Sequence, residues 1–292
     1  MRVHPAVWTI LAAAALWIGL RWFENAMLFA PSRAMTAHPG SYGLAFERLW
    51  LTADDGVRLR AWWIPGPRAD SPVLIGLHGN GGTLSNRVEK MKLFHDAGVA
   101  QLWVDWRGYG ESSGHPSEAG IERDARAAWN EAVVARGMPP GRIVLYGESL
   151  GCGAAVYLAA RVPAAGLIMD SGFASVPEMA KTVLPWFPRF LIRARFDNLG
   201  TLPRVKMPTL FLHSPEDEIV PYAQARLNYA AAAGPKTFVD LKGSHNDGFL
   251  DAGAVYPAAI SHFLRQVVPI PSETGSKPAG HAPDPMSVPW HL

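Results

Sequence analysis

A serine lies at the centre of the sequence Gly-Glu-Ser-Leu-Gly, at residues 147–151. An apolar run, residues 142–146, precedes this sequence, and an alanine-rich, helix-like segment, residues 152–160, follows it. This succession predicts a strand, a tight turn and a helix, with the Ser149 hydroxyl exposed at the carboxyl end of the strand. The flanking glycines suit such a turn because a Cβ there would collide with neighbouring backbone. The pattern favours Ser149 as a nucleophile.

A serine nucleophile needs a base to accept its proton and an acid to orient that base. An apolar strand is predicted to run into an acidic turn that holds Asp217, and we predict this residue as the acid. Glu216 and Glu218 lie in the same turn and are alternatives, although a solvated loop charge is the simpler interpretation of each. Asp170, at the end of another predicted strand, is a further alternative.

The predicted base is His245. It follows a short apolar run, residues 237–241, and so lies in the loop after the last predicted strand. A lone loop histidine is ordinarily a solvated side chain. Here the chain order is serine, acid and then histidine, the order in which one large class of hydrolytic folds arranges its catalytic triad.

A glycine-rich loop is predicted to supply part of an oxyanion hole. Residues 78–82 read His-Gly-Asn-Gly-Gly and follow a predicted central strand, residues 73–77. We predict the backbone amides of Asn80 and Leu150 as the two donors, each worth roughly 3–4 kcal/mol in the transition state. A phosphate-binding loop is the alternative, but the run lacks the Gly-Lys-Ser/Thr ending and the spacing of a dinucleotide turn.

Seven short stretches together resemble the N-terminally anchored α/β-hydrolases of the abhydrolase-domain type. This family is also described as serine aminopeptidase-like and includes relatives of the eukaryotic protein depalmitoylases. The resemblance covers residues 27–267 and is carried by residues 78–82, 105–112, 147–151, 175–180, 195–197, 217–221 and 245–247. One departure is Ser214, where family members usually carry glycine. The resemblance implies a serine hydrolase but no particular substrate.

The predicted fold is the α/β-hydrolase fold, a mostly parallel central sheet with helices on both faces and a small helical cap. Residues 46–51 and 57–64 predict an antiparallel hairpin at one edge of this sheet. We expect four regions: an N-terminal membrane anchor, the hydrolase domain, a cap within that domain and a disordered proline-rich tail. They are predicted over residues 1–26, 27–268, 171–207 and 269–292, respectively.

The N-terminal segment is predicted to be a membrane anchor. Residues 7–20 carry no charged side chain, and Arg2 and Arg21 flank them at a helical separation of about 28 Å, close to one hydrocarbon thickness. A cleaved signal peptide and an amphipathic helix packed on the domain are alternatives. We expect a single-pass membrane protein with its catalytic domain on the extracytoplasmic side.

The cap sequence is apolar, aromatic and interrupted by prolines over residues 183–192. We predict that it covers the active site and that Trp186 and Phe190 line an acyl pocket. An ordinary pair of packed helices is the alternative.

Composition excludes several function classes. The 292 residues include 27 Lys plus Arg and 25 Asp plus Glu, a near balance that carries no nucleic-acid signature. The single cysteine, Cys152, cannot form an intrachain disulfide, and we expect it to be a packed small residue rather than a catalytic thiol. The histidines show no metal-ligand spacing, so no metal and no cofactor are expected. Composition leaves the oligomeric state open.

The function predicted from these observations is hydrolysis of a carboxylic ester or thioester through an acyl-enzyme. The expected substrate is a small or lipid-like acyl compound, with an acylated protein as a variant of the same chemistry. A serine peptidase is the first alternative, although the sequence offers no acidic subsite for a free amino terminus. A catalytically silent, anchored interaction module is the second alternative.

Overall fold

The protein is described by a computed structural model over residues 4–268, so the predicted tail, residues 269–292, lies outside the described residues. Eight strands form the main sheet: β1 (Glu47–Thr52), β2 (Arg58–Ile64), β3 (Val73–Leu77), β4 (Ala100–Val104), β5 (Ile143–Glu148), β6 (Gly166–Asp170), β7 (Thr209–His213) and β8 (Lys236–Asp240). Their spatial order is β8-β7-β6-β5-β3-β4-β2-β1.

The six strands from β3 to β8 are parallel, whereas β1 and β2 pair antiparallel at one edge. The predicted fold class and the edge hairpin are therefore confirmed. Because all parallel strands end at the same edge of the sheet, the loops that follow β3, β5, β7 and β8 meet there. A separate two-residue parallel bridge joins Ala30–Pro31 to Gly81–Gly82, at the glycine-rich loop.

Nine α-helices are present in the described part of the chain. They are α1 (Pro5–Leu28), α2 (Val88–Asp96), α3 (Glu118–Asn130), α4 (Gly151–Ala159), α5 (Val176–Val183), α6 (Asn198–Thr201), α7 (Tyr222–Ala231), α8 (Gly248–Asp251) and α9 (Val255–Val267). A π-helical turn, Glu131–Ala135, extends α3, and short 3₁₀ turns occupy Pro39–Tyr42, Leu84–Arg87, Pro140–Arg142, Arg189–Leu191 and Leu202–Arg204.

Helices cover both faces of the sheet because successive side chains of a buried strand point to opposite sides. Along β5, Leu145 faces the core formed with α3 and α4, whereas Val144 and Tyr146 face the core formed with α2 and α9. Both sets are fully buried, which explains why the parallel strands are continuous apolar runs in the sequence. The two cores fix the strands that carry the site.

Helix α1 is long and apolar enough to cross a membrane. Within Ala6–Leu28, the most apolar 18 consecutive residues have a mean hydropathy of 1.6 and are not buried against the rest of the protein. Proline in the first turn favours the helix start, because its missing amide would have no partner there. The C-terminal part of α1 contacts the rest of the chain, through a hydrogen bond from Arg21 Nη2 to the carbonyl of Leu191 at 2.6 Å and through Glu24.

The segment between β6 and β7 is built from short helices and turns. Ser175 caps α5, since its Oγ accepts a hydrogen bond from the amide of Glu178 at 3.2 Å. The helix ends at Val183, just before Pro185, which cannot continue it. The following residues cross the surface beside α1 before α6 returns the chain to β7.

Candidate active site

The turn between β5 and α4 holds Ser149 in a backbone conformation that few non-glycine residues adopt. Its φ is 51°, in the left-handed region. The neighbouring glycines are required by space: a Cβ on Gly151 would lie 2.0 Å from the carbonyl oxygen of Leu77, and one on Gly147 would lie 2.6 Å from Cys152 Cα. The amide of Ser149 donates to the carbonyl of Asp170 at 2.8 Å, which ties the turn to β6. The result is a sharp turn with the serine at its apex.

The structure brings Ser149, His245 and Asp217 into one chain of hydrogen bonds. His245 Nε2 lies 3.1 Å from Ser149 Oγ, and His245 Nδ1 lies 2.7 Å from Asp217 Oδ2. An ionised carboxylate can only accept, so Nδ1 carries the hydrogen and Nε2 is left as the acceptor that faces the serine hydroxyl. This is the tautomer that a general base requires.

Asp217 is held as a carboxylate. Burial by itself would raise its pKa, but the hydrogen bond from His245 and the amide of Val220 lower the pKa below its ordinary value. Asp217 Oδ1 accepts from the amides of Ile219 and Val220, at 2.9 and 2.7 Å. These two bonds close a tight turn at the end of β7 and aim Oδ2 at the histidine.

A second histidine, His213, lies beside the acid Asp217. It is fully buried, and its Nε2 lies 2.8 Å from the carbonyl of Val220 and 3.4 Å from Asp217 Oδ2. Burial lowers the pKa of His213, so the ring stays neutral with its hydrogen on Nε2. Sequence reasoning missed this residue; its position as the last residue of β7, four residues before the predicted acid, was the available signal.

The two glutamates beside Asp217 have roles that the sequence did not indicate. Glu216 Oε2 accepts from the amide of Gly243, and Glu218 Oε2 accepts from the amide of His245, each at 3.0 Å. Both residues are exposed, as expected for solvated loop charges, and each also accepts one backbone amide. Both carboxylates hold the histidine loop against the acidic turn.

Asp170, the alternative acid, faces away from His245. Its Oδ2 accepts hydrogen bonds from Tyr146 and Tyr256, at 2.6 and 2.7 Å, and lies 3.2 Å from Lys90 Nζ. The hydrogen bonds of this carboxylate therefore lie within the core between the sheet and α9. The geometry leaves Asp217 as the acid that contacts the histidine.

The glycine-rich loop is fixed through the carbonyl of Asn80. That carbonyl accepts from Tyr109 Oη at 2.7 Å and from the amide of Ala30 at 3.1 Å. Within residues 4–268, neither the amide of Asn80 nor that of Leu150 donates a hydrogen bond to the protein. Both residues border the cavity that contains Ser149. The residues of the two predicted oxyanion donors thus border the same cavity as the serine.

A charged cluster that the sequence did not reveal lies beside the nucleophile. Glu148 Oε1 accepts from Arg87 Nη2 at 3.0 Å, and Oε2 accepts from Lys90 Nζ at 3.1 Å. Burial would raise the pKa of Glu148, but these two cations move the pKa far below its ordinary value. Arg87 and Lys90 are three residues apart and so share one face of the helical segment.

Two cavities flank Ser149. The first, about 460 Å³, is the more polar of the two; its walls include Asn86, Arg87, Lys90, Glu148 and Asn246, together with the apolar Ile219, Phe249 and Leu250. The second, about 420 Å³, is mostly apolar and lies between α1 and α5; its walls include Met27, Leu28, Phe173, Met179, Val183 and Leu184. An amphiphilic substrate with its reacting carbonyl at Ser149 has a separate space for each of its two parts.

The two aromatic side chains predicted to line the apolar cavity lie elsewhere. Trp186 is 73% exposed and Phe190 is 83% exposed, and neither borders the cavity. The physical reason is the end of α5 at Val183, after which the chain turns out to the surface. Phe187 is the aromatic residue that turns inward, with its ring centroid 6.2 Å from that of Phe23. Met179 and Val183, one helix turn apart on α5, form the cavity wall instead.

Other predicted residues have structural positions. Cys152 is buried, its Sγ donates to the carbonyl of Gly147 at 3.1 Å, and burial raises the pKa of its thiol well above the usual value. Within residues 4–268, no group of three or more His, Cys, Asp or Glu side chains could hold a metal ion.

Comparison with known proteins identifies the family. A family model described as the alpha/beta hydrolase fold matches residues 72–202. Alpha/beta hydrolase domain-containing protein WAV2 of Arabidopsis thaliana is 30% identical over 287 residues, covering 89% of this chain and 92% of that protein. Uncharacterized membrane protein YNL320W of Saccharomyces cerevisiae is 30% identical over 256 residues, covering 83% and 89%, respectively. The solved Pyrococcus furiosus esterase Pf2001 has a TM-score of 0.68 at 17% identity, covering 82% of this chain and 99% of that one.

A parallel sheet with a strained serine at the end of its central strand defines the hydrolase class of α/β proteins. The chain belongs to the alpha/beta hydrolase family. The resemblance that the sequence motifs indicated is thereby confirmed.

Proposed function

We propose that this protein is a serine hydrolase that cleaves carboxylic ester or thioester bonds of acyl substrates. The observation that carries the proposal is the hydrogen-bonded chain from Asp217 through His245 to Ser149, in a serine turn open to two cavities. Each member comes from a different loop at the carboxyl edge of the sheet. A buried structural network would have no need to leave the serine hydroxyl facing a cavity.

The proposed reaction has two acyl-transfer steps. His245 Nε2 takes the proton of Ser149 as the oxygen attacks the substrate carbonyl, and the carbonyl π electrons move to its oxygen. The resulting oxyanion is stabilised by the amides of Asn80 and Leu150. The tetrahedral intermediate collapses, the leaving group takes the proton from His245, and an acyl-enzyme remains. Water repeats the sequence and releases the carboxylic acid.

Asp217 acts electrostatically throughout this cycle. Asp217 orients His245 and stabilises the imidazolium that exists between the two proton transfers. The lowered pKa of Asp217 means that its charge is present at neutral pH, when the histidine needs it. Neither carboxylate oxygen takes up a proton during the reaction.

The two cavities support an acyl or lipid-like substrate. The apolar cavity between α1 and α5 suits the acyl chain, and the polar cavity beside Glu148 suits the alcohol or thiol portion. The same arrangement would accept a small ester, a lipid or an acyl group on a protein surface. Helix α1 is proposed as the membrane anchor, which agrees with the description of the yeast relative as a membrane protein.

The first experiment uses the full-length protein in detergent micelles with its Ser149→Ala variant. A fluorophosphonate probe should label the parent protein and not the variant, and turnover of nitrophenyl esters should fall by about 10⁴-fold or more in the variant. Ser41→Ala, which removes an exposed hydroxyl, is the matched control and should behave as the parent. Matched thioesters and anilides then separate thioesterase and peptidase activity. Absence of labelling in folded parent protein would contradict the proposal and favour an interaction module.

A further inference from the structure

An exposed apolar surface lies on the segment that follows α5. It consists of Val183, Trp186 and Phe190, and we call it the cap face. The exposed fractions of Trp186 and Phe190 are among the largest of any aromatic side chain in the hydrolase domain, and Val183 is 53% exposed. Three large apolar side chains exposed within one short segment are typical of a surface that another apolar phase covers.

The cap face lies at the level where α1 leaves its uncharged stretch. Arg21 and Glu24 are the first charged residues after residues 7–20. Arg21 Nη2 donates to the carbonyl of Leu191, and Glu24 Oε1 accepts from the amides of Arg193 and Ala194 at 2.7 and 2.8 Å. If α1 spans a bilayer, these contacts fix the cap segment at the membrane–water boundary.

Every charged side chain within residues 179–196 is basic, although Glu24 and Glu118 contact the backbone of this segment. Arg189, Arg193 and Arg195 are exposed, and the sequence has no Asp or Glu between residues 179 and 196. Aromatic side chains beside clustered arginines are the composition of surfaces that insert into the interface of anionic membranes. Trp17 and Trp22 on α1 are also exposed and suit the same interfacial level.

We propose that the cap face docks on an anionic phospholipid surface, in the leaflet from which α1 emerges. The aromatic side chains then lie among the upper acyl chains, and the three arginines pair with lipid phosphates. This docking depends on the anchor and not on catalysis, so it can be tested whether or not the proposed hydrolase activity is found.

Docking would join the apolar cavity to the bilayer. Met27 and Val183 both line the cavity next to Ser149, and both are about half exposed. Their position at the mouth means that, in the docked protein, the cavity opens towards the lipid. The acyl chain of a membrane-resident substrate could then reach Ser149 without crossing water. This consequence rests on the proposed function.

The first test measures immersion depth with a spin label on the full-length protein in vesicles of phosphatidylcholine and phosphatidylglycerol. The only native cysteine, Cys152, is buried, so Phe190→Cys supplies one reactive thiol. Val134→Cys is the matched control, because Val134 is 78% exposed in the π-helical turn that follows α3, and it is the opposite end of α3 that contacts the cap through Glu118. We expect the label at 190 to collide with oxygen more than with a water-soluble nickel chelate, and the label at 134 to show the reverse. Equal water exposure at both positions would overturn the proposal.

The second test separates docking from chemistry. The triple variant Arg189→Gln, Arg193→Gln, Arg195→Gln should lower turnover of a long-chain ester embedded in anionic vesicles by about tenfold relative to turnover of a soluble short-chain ester. In vesicles of phosphatidylcholine alone, the ratio should not change. Arg161→Gln is the single-charge control. An unchanged ratio in anionic vesicles would contradict a role for the arginines. If the parent protein hydrolyses neither ester, the proposed function is contradicted, and the depth measurement alone decides whether the cap face docks.

Discussion

The carboxylate of Glu218 accepts a hydrogen bond from the backbone amide of His245, while the neighbouring Asp217 binds the ring of the same histidine. Two consecutive acidic residues therefore hold one residue at two points. The ring bond sets the tautomer, and the backbone bond sets the position of the loop. The histidine loop lacks a regular secondary structure of its own, so its placement depends on such contacts.

Removal of the backbone contact should reduce turnover without removing the triad. We expect Glu218→Ala to lower kcat on a soluble ester roughly tenfold, equivalent to ~1.4 kcal/mol, because His245 would sample positions out of reach of Ser149. Glu47→Ala removes an exposed carboxylate at the far edge of the sheet and is the control. Steady-state kinetics checks this, and a kcat equal to that of the parent would show that the loop is positioned by other contacts.

Filling the apolar cavity should shorten the preferred acyl chain. Met179→Trp places a larger side chain in the wall between α5 and Ser149. We expect kcat/KM for an octanoate ester to fall about tenfold or more relative to an acetate ester, because each excluded methylene forfeits its contacts. Trp186→Ala should leave the profile for soluble esters unchanged, since that side chain is outside the cavity. If the acyl-length preference changed in Trp186→Ala and not in Met179→Trp, our assignment of Met179 to the cavity wall would be wrong.

The serine turn should tolerate no side chain at Gly151. A Cβ there would lie 2.0 Å from the carbonyl oxygen of Leu77, and backbone cannot move away as a flexible side chain can. Gly151→Ala should lower the free energy of unfolding by about 2 kcal/mol or more, and the melting temperature by about 4–8 °C. Gly141→Ala is the control, because no atom lies within 4 Å of its Cβ position. Equal melting temperatures for the two variants would contradict the predicted clash.

The charged cluster beside the nucleophile should make stability depend on pH. The pKa of Glu148 is far below its ordinary value of 4.5, so its stabilising contribution is complete above that value and is lost as the pH falls below it. Glu148→Gln should be less stable at pH 7 by about 3 kcal/mol, because Arg87 and Lys90 lose a buried partner. Thermal unfolding from pH 7 to pH 3 should show the two proteins converging. A constant difference across this range would contradict the assignment.

The parts of the site predicted from sequence are those set by local chain geometry. The turn at Ser149 requires glycines within two residues, and the acid and base follow apolar strands whose ends must meet at one edge. Such signals lie within a few residues of the group that they position. The sheet itself was predicted for the same reason, since a strand buried on both faces is a continuous apolar run.

The parts that could not be predicted join residues far apart in the chain. Lys90 and Glu148 are 58 residues apart, and neither shows in the sequence that it has a buried partner. The positions of Trp186 and Phe190 could not be predicted for a different reason. Apolar character predicts removal from water, but it does not distinguish a protein core from any other apolar surroundings.

The last turn of α1 forms part of the wall of the apolar cavity, through Met27 and Leu28. One continuous helix would thus serve as a membrane span at its start and as a piece of the substrate site at its end. A protease cut beyond Leu28 would therefore do more than release the enzyme: it would open the acyl site on one side. Retention in a membrane and selection of the substrate would then be properties of the same helix.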